Sequence, residues 1–319
     1  MSKLFSIGEL LIDFQSVGTG GLKETGQFVK NAGGAPANVC VQAVKLGQKA
    51  VYLTKVGNDG FGEFLIESLK NEGVDVTFIS KSDKYDTSLA FVSFKDGGER
   101  EFSFYRKAAA DLHFTEEDFA GVEFGAGDIL EFGSVALKTE QAKATHTDLI
   151  ARAKKAGVVV CFDPNLRFNL WESKEELKAV VNEFAAYADV IKVGLDELEF
   201  ITGLTAEKAV KSVFTGNLKM LLVTDGGKGA KMYLADGREF SCKGYKVKAI
   251  DTTGAGDSFF GGVIAQIMEE NLSSASLVNG KTDYNKILGF ACKCGAYATT
   301  GYGAIPAMGN RDKIDKAVK

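Results

Sequence analysis

The chain has 319 residues and a mass of 34.1 kDa, which suits one large domain or two modest ones; a chain of this length buries about 75% of the surface that its unfolded form exposes and needs no disulfide or metal staple. Hydrophobic residues make up 45% and charged residues 25%, a composition that excludes a disordered chain. Lys plus Arg number 38 against 42 for Asp plus Glu, a net charge of -4, so there is no global basic field for nucleic acid or an anionic membrane, although a small local anion site is still allowed.

In chain order, Leu4 to Ile7 is a short apolar run that predicts a strand, and residues 12–30 are Gly-rich and partly strand-like. Pro36 to Leu46 carries Val39, Cys40, Ala43 and Val44 at helical spacing; Pro36 suits a first turn and Gly47 a stop. Val51 to Val56 is a second apolar run. Residues 87–106 alternate like two strands about a Lys-Asp-Gly-Gly turn. The runs Ile129 to Phe132, Val158 to Phe162, Val190 to Val193 and Met220 to Val223 follow, with helical stripes at Glu175 to Phe184 and Phe259 to Met268. Near-continuous apolar strands separated by helices predict an α/β fold with a parallel sheet covered on both faces. The stretches 12–30 and 87–106 predict an antiparallel appendage, either a cover over a substrate or a plain edge hairpin. No low-complexity linker or repeat divides the chain.

No apolar run approaches the roughly 20 residues of a membrane helix. The start, Met-Ser-Lys leading into a strand, carries no charged-then-apolar leader and predicts a cytoplasmic rather than a secreted protein. Cysteines 40, 161, 242, 292 and 294 form an odd, scattered set, expected to be reduced thiols. Cys292 and Cys294 lack the partners of a zinc site and read as packing. His113 and His146 are too few for a His-rich metal centre, make a Ser-His-Asp site improbable, and are expected at the surface.

The segment with the strongest chemical pattern is 247–262, Val-Lys-Ala-Ile-Asp-Thr-Thr-Gly-Ala-Gly-Asp-Ser-Phe-Phe-Gly-Gly. A strand enters Gly254-Ala255-Gly256 and an amphipathic helix follows. Glycines let main-chain N–H groups turn toward one point, and a helix start adds unpaired donors and partial positive charge. Asp257, in the first helical turn, is then either a helix-start stabiliser or a general base beside a transferring phosphoryl group. The dinucleotide fingerprint fails, because Phe259 stands where its third glycine belongs. The P-loop pattern is absent, since Gly21 to Gly26 continues with Gln27, and so is the protein-kinase catalytic loop.

Asp251-Thr-Thr-Gly-Ala-Gly-Asp257 resembles the C-terminal signature of the PfkB (ribokinase-like) carbohydrate kinases, and Asn31-Ala-Gly-Gly-Ala-Pro-Ala-Asn38 resembles their N-terminal signature. Asp163-Pro-Asn-Leu-Arg167 and Val223-Thr-Asp-Gly226-Gly-Lys-Gly229 match intermediate pieces, so the likeness spans essentially the whole chain. It implies a three-layer α/β/α domain built on a mainly parallel sheet, residues 1–12, 31–86 and 107–319, with a small β-sheet lid from the insertions 13–30 and 87–106. It also implies ATP-dependent phosphorylation of a sugar hydroxyl.

Residue by residue, the resemblance gives Asp257 the role of base and the N–H groups of Gly254, Ala255 and Gly256 that of anion hole. Asp13, Gly33, Gly34 and Asn38 would meet the sugar. Arg106 resembles an Arg that reaches the sugar in the fructokinase and 2-keto-3-deoxygluconate kinase branches; an Arg ending a hairpin is otherwise a solvated side chain. Arg167 would bridge phosphate and sugar through its fork of donors. Asn165, Thr224, Gly226 and Gly229 would serve ATP. The family's N-x-x-E element aligns on Lys192-Val-Gly194-Leu-Asp-Glu197, with Gly194 where Asn is common. Glu197 would organise Mg²⁺ through water, or else be a solvated acid in a first helical turn. Asp251 and Thr253, with carbonyls of the Ala298 to Pro306 loop, are the candidates for a K⁺ site.

The flap Asp96-Gly-Gly-Glu-Arg100-Glu-Phe-Ser-Phe-Tyr-Arg106 and the tail Gly303-Ala-Ile-Pro306 are most similar to bacterial fructokinases. A ketohexose of the fructose type, phosphorylated on its terminal hydroxyl, is the expected substrate, with 2-keto-3-deoxygluconate as the alternative. Expected partners are therefore the sugar and ATP, not nucleic acid or membrane, with a homodimer through the lid as relatives commonly form. A sugar- or nucleotide-sensing protein without catalysis and a nicotinamide oxidoreductase are readings of another class. The retained Asp257 weakens the first, and the failed fingerprint weakens the second.

Overall fold

The computed structural model describes residues 2–94, 100–214 and 216–319. β1 (Lys3–Ile7) turns at once into β2 (Leu11–Thr19) and β3 (Phe28–Gly33). α1 (Ala35–Lys45), β4 (Lys49–Gly57), α2 (Gly60–Asn71) and β5 (Ile79–Ser82) follow, and then β6 (Ser88–Phe94) and β7 (Arg100–Tyr105). From β8 (Ile129–Gly133) the chain alternates through α3 (Glu140–Lys155), β9 (Val159–Asp163), α4 (Lys174–Ala185), β10 (Val190–Gly194), α5 (Leu195–Thr202), α6 (Ala206–Val213) and β11 (Met220–Thr224). The hairpin β12 (Gly229–Leu234) and β13 (Glu239–Lys243) precedes α7 (Ala255–Glu269), α8 (Tyr284–Ala298) and α9 (Arg311–Ala317).

The main sheet has nine strands in the order β13-β12-β11-β10-β9-β8-β1-β4-β5. Every pairing from β11 to β5 is parallel, and only the β12–β13 hairpin edge is antiparallel. All the apolar runs singled out in the sequence are strands of this sheet. β5 and the hairpin edge are not marked by such runs, because an edge strand is half wet and alternates too briefly to stand out.

Successive side chains of a strand face opposite ways, and β4 displays it. Ala50 and Tyr52 enter the core on the α1, α7 and α8 side, while Val51 and Leu53 enter the core on the α3 and α4 side. Helices on both faces complete three layers. Capping side chains fix several of their starts: Asp59 accepts from the N–H groups of Phe61 and Gly62, Thr139 from Ala142, and Ser173 from Glu176.

A separate four-stranded sheet has the order β3-β2-β6-β7. It is mixed rather than antiparallel, because β2 and β6 pair in parallel: each leaves the main sheet in the same direction. The insertions are wider than 13–30 suggests, since pairing runs from Leu11 opposite Gly33 to Ser16 opposite Phe28. The Lys-Asp-Gly-Gly turn of the flap lies outside the described residues.

His146 is a correction. It is fully buried in α3 rather than at the surface, with Nδ1 2.8 Å from Ala142 O and its ring against Phe114, Phe132 and Phe184. Burial holds its pKa down to about 4, against the raising effect of the Ala142 carbonyl, so it packs as a neutral aromatic ring. Phe132 anchors the same core, stacked on Phe162 with centroids 4.7 Å apart. Phe132→Ala should lower stability by about 3–5 kcal/mol, read by urea unfolding; a loss below about 1 kcal/mol would show that this face is loosely packed.

Candidate active site

Two cavities meet at the start of α7, beyond the carboxyl ends of the central strands, where open α/β sheets gather their ligands. One, of about 260 Å³, is lined from the small sheet by Leu11, Asp13, Val92, Phe102 and Phe104, and from the main domain by Asn38, Asn165, Arg167, Lys192, Gly254 and Asp257. The other, of about 300 Å³, is lined by Thr224, Gly226, Gly229, Tyr245, Val247, Ala255, Cys292 and Thr299. Thr252 and Gly256 belong to both walls, so the loop before α7 is the partition between them.

Asp257 projects from the first turn of α7, and its Oδ2 accepts from Asn38 Nδ2 at 2.8 Å. That bond joins the two signature segments across 219 positions of sequence. Burial raises the Asp257 pKa, while Lys192, the Asn38 bond and Arg167 oppose it. Lys192 opens the segment aligned with the N-x-x-E element, but the sequence assigned it no role. Its Nζ lies 2.9 Å from the place a Cβ on Gly256 would take, so the loop passes directly over this ammonium and a side chain there would push it aside. It donates to Asp163 Oδ2 at 2.9 Å. The only signal in the sequence is a lysine inside an otherwise apolar strand.

On the small-sheet side, Asp13 sits on β2 opposite Asn31 of β3. Gly33 leaves room beside it, because a Cβ there would fall 2.1 Å from Asp13 Oδ2 and force that carboxylate to move. Gly34 also lines this cavity. Burial pushes the Asp13 carboxyl up to about 7; Arg167 opposes that rise, and Asp257 and Asp251 add to it. Arg106 is not in the cavity wall. It is 6% exposed, with Nε donating to Ser88 Oγ at 3.0 Å and Nη2 to Asp111 Oδ2 at 2.9 Å. Glu9, which the motifs did not single out, lies between this pair and the cavity. Its Oε1 accepts from Ala35 N at 2.9 Å, and burial pushes its pKa up to about 7 against the pull of Arg106.

Asn165 and Arg167 follow β9 and line the first cavity. Asn165 holds a left-handed backbone, φ 45°, which is uncommon for a non-glycine residue and concentrates at functional sites. Glu197 ties this loop down: Oε1 accepts from Leu166 N at 2.7 Å and Oε2 from Gly194 N at 2.8 Å. It is thus a structural clasp as well as an acid near the site. Asp251 is 4% exposed, with Oδ1 accepting from Thr253 N and Oγ1 at 2.9 and 2.7 Å and Oδ2 from Gly303 N at 3.0 Å. It therefore draws the 299–303 loop against the loop before α7. Thr224, Gly226 and Gly229 all border the second cavity, away from Asp257.

The family model described as "pfkB family carbohydrate kinase" matches residues 1–310. The chain belongs to this family. Fructokinase-2 of Solanum lycopersicum is 39% identical over 310 residues, covering 96% of this chain and 92% of its own length. A fructokinase double mutant from Vibrio cholerae O395, solved with fructose, ADP and potassium ion, has a TM-score of 0.88 at 31% identity, over 100% of this chain and 99% of that one. Fructokinase with bound ATP from Xylella fastidiosa has a TM-score of 0.88 at 30% identity, over 99% of this chain and 97% of that one.

As a PfkB carbohydrate kinase the protein is a phosphotransferase, and its two signatures are the segments joined by the Asn38–Asp257 bond. The acids of this kinase's site also set a pH test. The folded pKa of Asp13, about 7, lies above the ordinary value of about 3.9. The fold favours the neutral carboxyl, so its contribution is fully present below pH about 4 and is lost as pH rises through about 7. Asp13→Asn should therefore raise the melting temperature of the unliganded kinase more at pH 8 than at pH 5. An equal gain at both pH values would contradict the assigned burial of this acid.

Proposed function

We propose that this kinase transfers the γ-phosphoryl group of ATP to the terminal hydroxyl of fructose, with Asp257 as the general base. The observation that carries the reading is the position of Asp257: at the N-terminus of α7, where the two cavities share a wall, and bonded to Asn38. Asp13, Gly33, Gly34 and Asn38 hold the sugar in the first cavity. Thr224, Gly226 and Gly229 hold the nucleotide in the second, with Asn165 and Arg167 reaching its phosphates from the first. Asp257 takes the proton of the hydroxyl as that oxygen attacks the γ-phosphorus, and ADP leaves. The N–H groups of Gly254, Ala255 and Gly256 receive the charge on the transferring group, which suffices because phosphoryl transfer is mostly positioning and electrostatic stabilisation.

A bound Mg²⁺ would neutralise phosphate charge. Among the described residues no cluster of three or more His, Cys, Asp or Glu could hold a metal, which fits an ion carried by the nucleotide with much of its hydration shell. Glu197, its oxygens already bonded to main-chain N–H groups, would meet that shell through its remaining lone pairs. Asp251 and Thr253, pulled against the 299–303 loop, offer the hard oxygen donors that K⁺ takes.

Fructose is favoured over 2-keto-3-deoxygluconate by the likeness to fructokinases, that of Solanum lycopersicum at 39% identity and that of Vibrio cholerae O395 solved with fructose and ADP. The lid, residues 13–30 and 87–106, covers the sugar through Val92, Phe102 and Phe104. Its exposed Val17, Val29 and Tyr105 suit a homodimer through the lid, and five free thiols suit the reducing cytoplasm.

Asp257→Asn should lower kcat by about 10²–10⁴-fold while leaving ATP affinity within a few-fold, as measured by coupled ADP release and by calorimetry. Near-normal turnover would remove Asp257 from the mechanism. A panel of sugars at fixed ATP, ranked by kcat/KM, should place fructose first; a higher value for 2-keto-3-deoxygluconate would reverse the substrate assignment.

A further inference from the structure

Lys192 occupies the centre of the apolar strand Val190-Ile-Lys-Val193 and is 6% exposed. Taking an ammonium out of water is expensive unless its charge is paired. Its pair is Asp163, 2.9 Å away, yet the pair is not closed on itself. An ammonium has three donors, and Asp163 is the one acceptor that Nζ meets among the described residues. The other carboxylate oxygen, Asp163 Oδ1, is buried without a hydrogen-bond partner among the described residues. A bridge serving packing alone would satisfy both groups.

The position of the ammonium says what the spare donors are for. Nζ lies under Gly256, in the wall of the first cavity beside Asp257. Burial pulls its pKa down, but Asp163, Glu197 and Asp257 outweigh that and leave it raised. The side chain is therefore a cation at neutral pH. It stands next to the main-chain donors at the α7 terminus, where a polyanion is expected.

We propose that Lys192, tethered by Asp163, is a built-in cation of the transfer site whose spare donors bind the terminal phosphoryl group of a nucleoside triphosphate. The proposal rests on reading the start of α7 as the phosphoryl site. It distinguishes a triphosphate from a diphosphate, because only the former places a group between the two cavities. Asp163 sets where the ammonium stands, and Gly256 leaves it room.

The test compares the binding of ADP with that of the ATP analogue bearing a β,γ-methylene bridge, by calorimetry on the intact protein. Lys192→Met should weaken the analogue about tenfold or more, leave ADP within about twofold, and lower kcat by about 10²–10³-fold. Equal weakening of both nucleotides, or unchanged kcat in a folded variant, would make the lysine structural and overturn the proposal. Asp163→Asn provides a second probe should Lys192→Met not fold. It keeps the ammonium but weakens its 2.9 Å tether, so analogue binding should fall relative to ADP; an unchanged ratio of the two affinities would count against the proposal. Failure of the α7 reading is seen separately: Asp257→Asn would then turn over normally, whatever Lys192→Met does to the two affinities.

Discussion

The proposed transfer brings a base that must be an anion against a phosphoryl donor that is a polyanion, and the site then has to hold two mutually repelling groups in contact. Two unit charges 4 Å apart interact by about 4 kcal/mol at an effective dielectric of 20, so the repulsion is far from negligible in a half-closed cleft. Asp257 is surrounded by further acids: Asp13, Asp163, Glu197 and Asp251 all act on it or on its neighbours. Three sources of positive potential oppose this. The N-terminus of α7 supplies oriented N–H groups at no desolvation cost during the reaction. Lys192 and Arg167 supply full charges that lower the pKa of the carboxylate. Burial raises the Asp257 pKa, and Lys192, the Asn38 bond and Arg167 are what oppose that rise.

The same balance explains why the chemistry was partly readable in the sequence. The glycine loop and Asp257 are contiguous, so their geometry follows from a strand entering a helix, and a linear motif records it. Asn38 was readable because its signature is also contiguous. What joins them, the 2.8 Å bond from Asn38 to Asp257, follows from the packing of α1 against α7 and has no local trace. Lys192 and Glu9 were missed for the same reason. Each is one polar residue in an apolar stretch, and only the third dimension brings it beside the loop.

Arg106 shows the converse case. The end of a flap strand is ordinarily wet, and family likeness points its guanidinium at the sugar. In the structure Asp111 and Ser88 claim it, because the 3₁₀ turn Ala110–Leu112 folds back beneath the start of β6. No pattern in residues 100–106 announces a carboxylate that arrives later in the chain. His146 is similar. A histidine in a charged helix reads as exposed until the ring is seen among three phenylalanines.

The lid's mixed topology has a consequence for the sugar site. β2 continues from β1 after a turn of only Gly8, Glu9 and Leu10, so Asp13 is fixed to the central strand rather than carried on a loose hairpin. β3 returns directly into α1 through Gly33 and Gly34, and Gly33 has no side chain because Asp13 occupies that space. One element therefore holds Asp13 in the first cavity, and its partner strand delivers the helix that bears Asn38, which in turn holds Asp257. A displacement of the small sheet would move Asp13 and the N-terminus of α1 together. In the proposed reaction, sugar contact at Asp13 and the orientation of Asp257 are therefore coupled through one short path of chain and the Asn38–Asp257 bond.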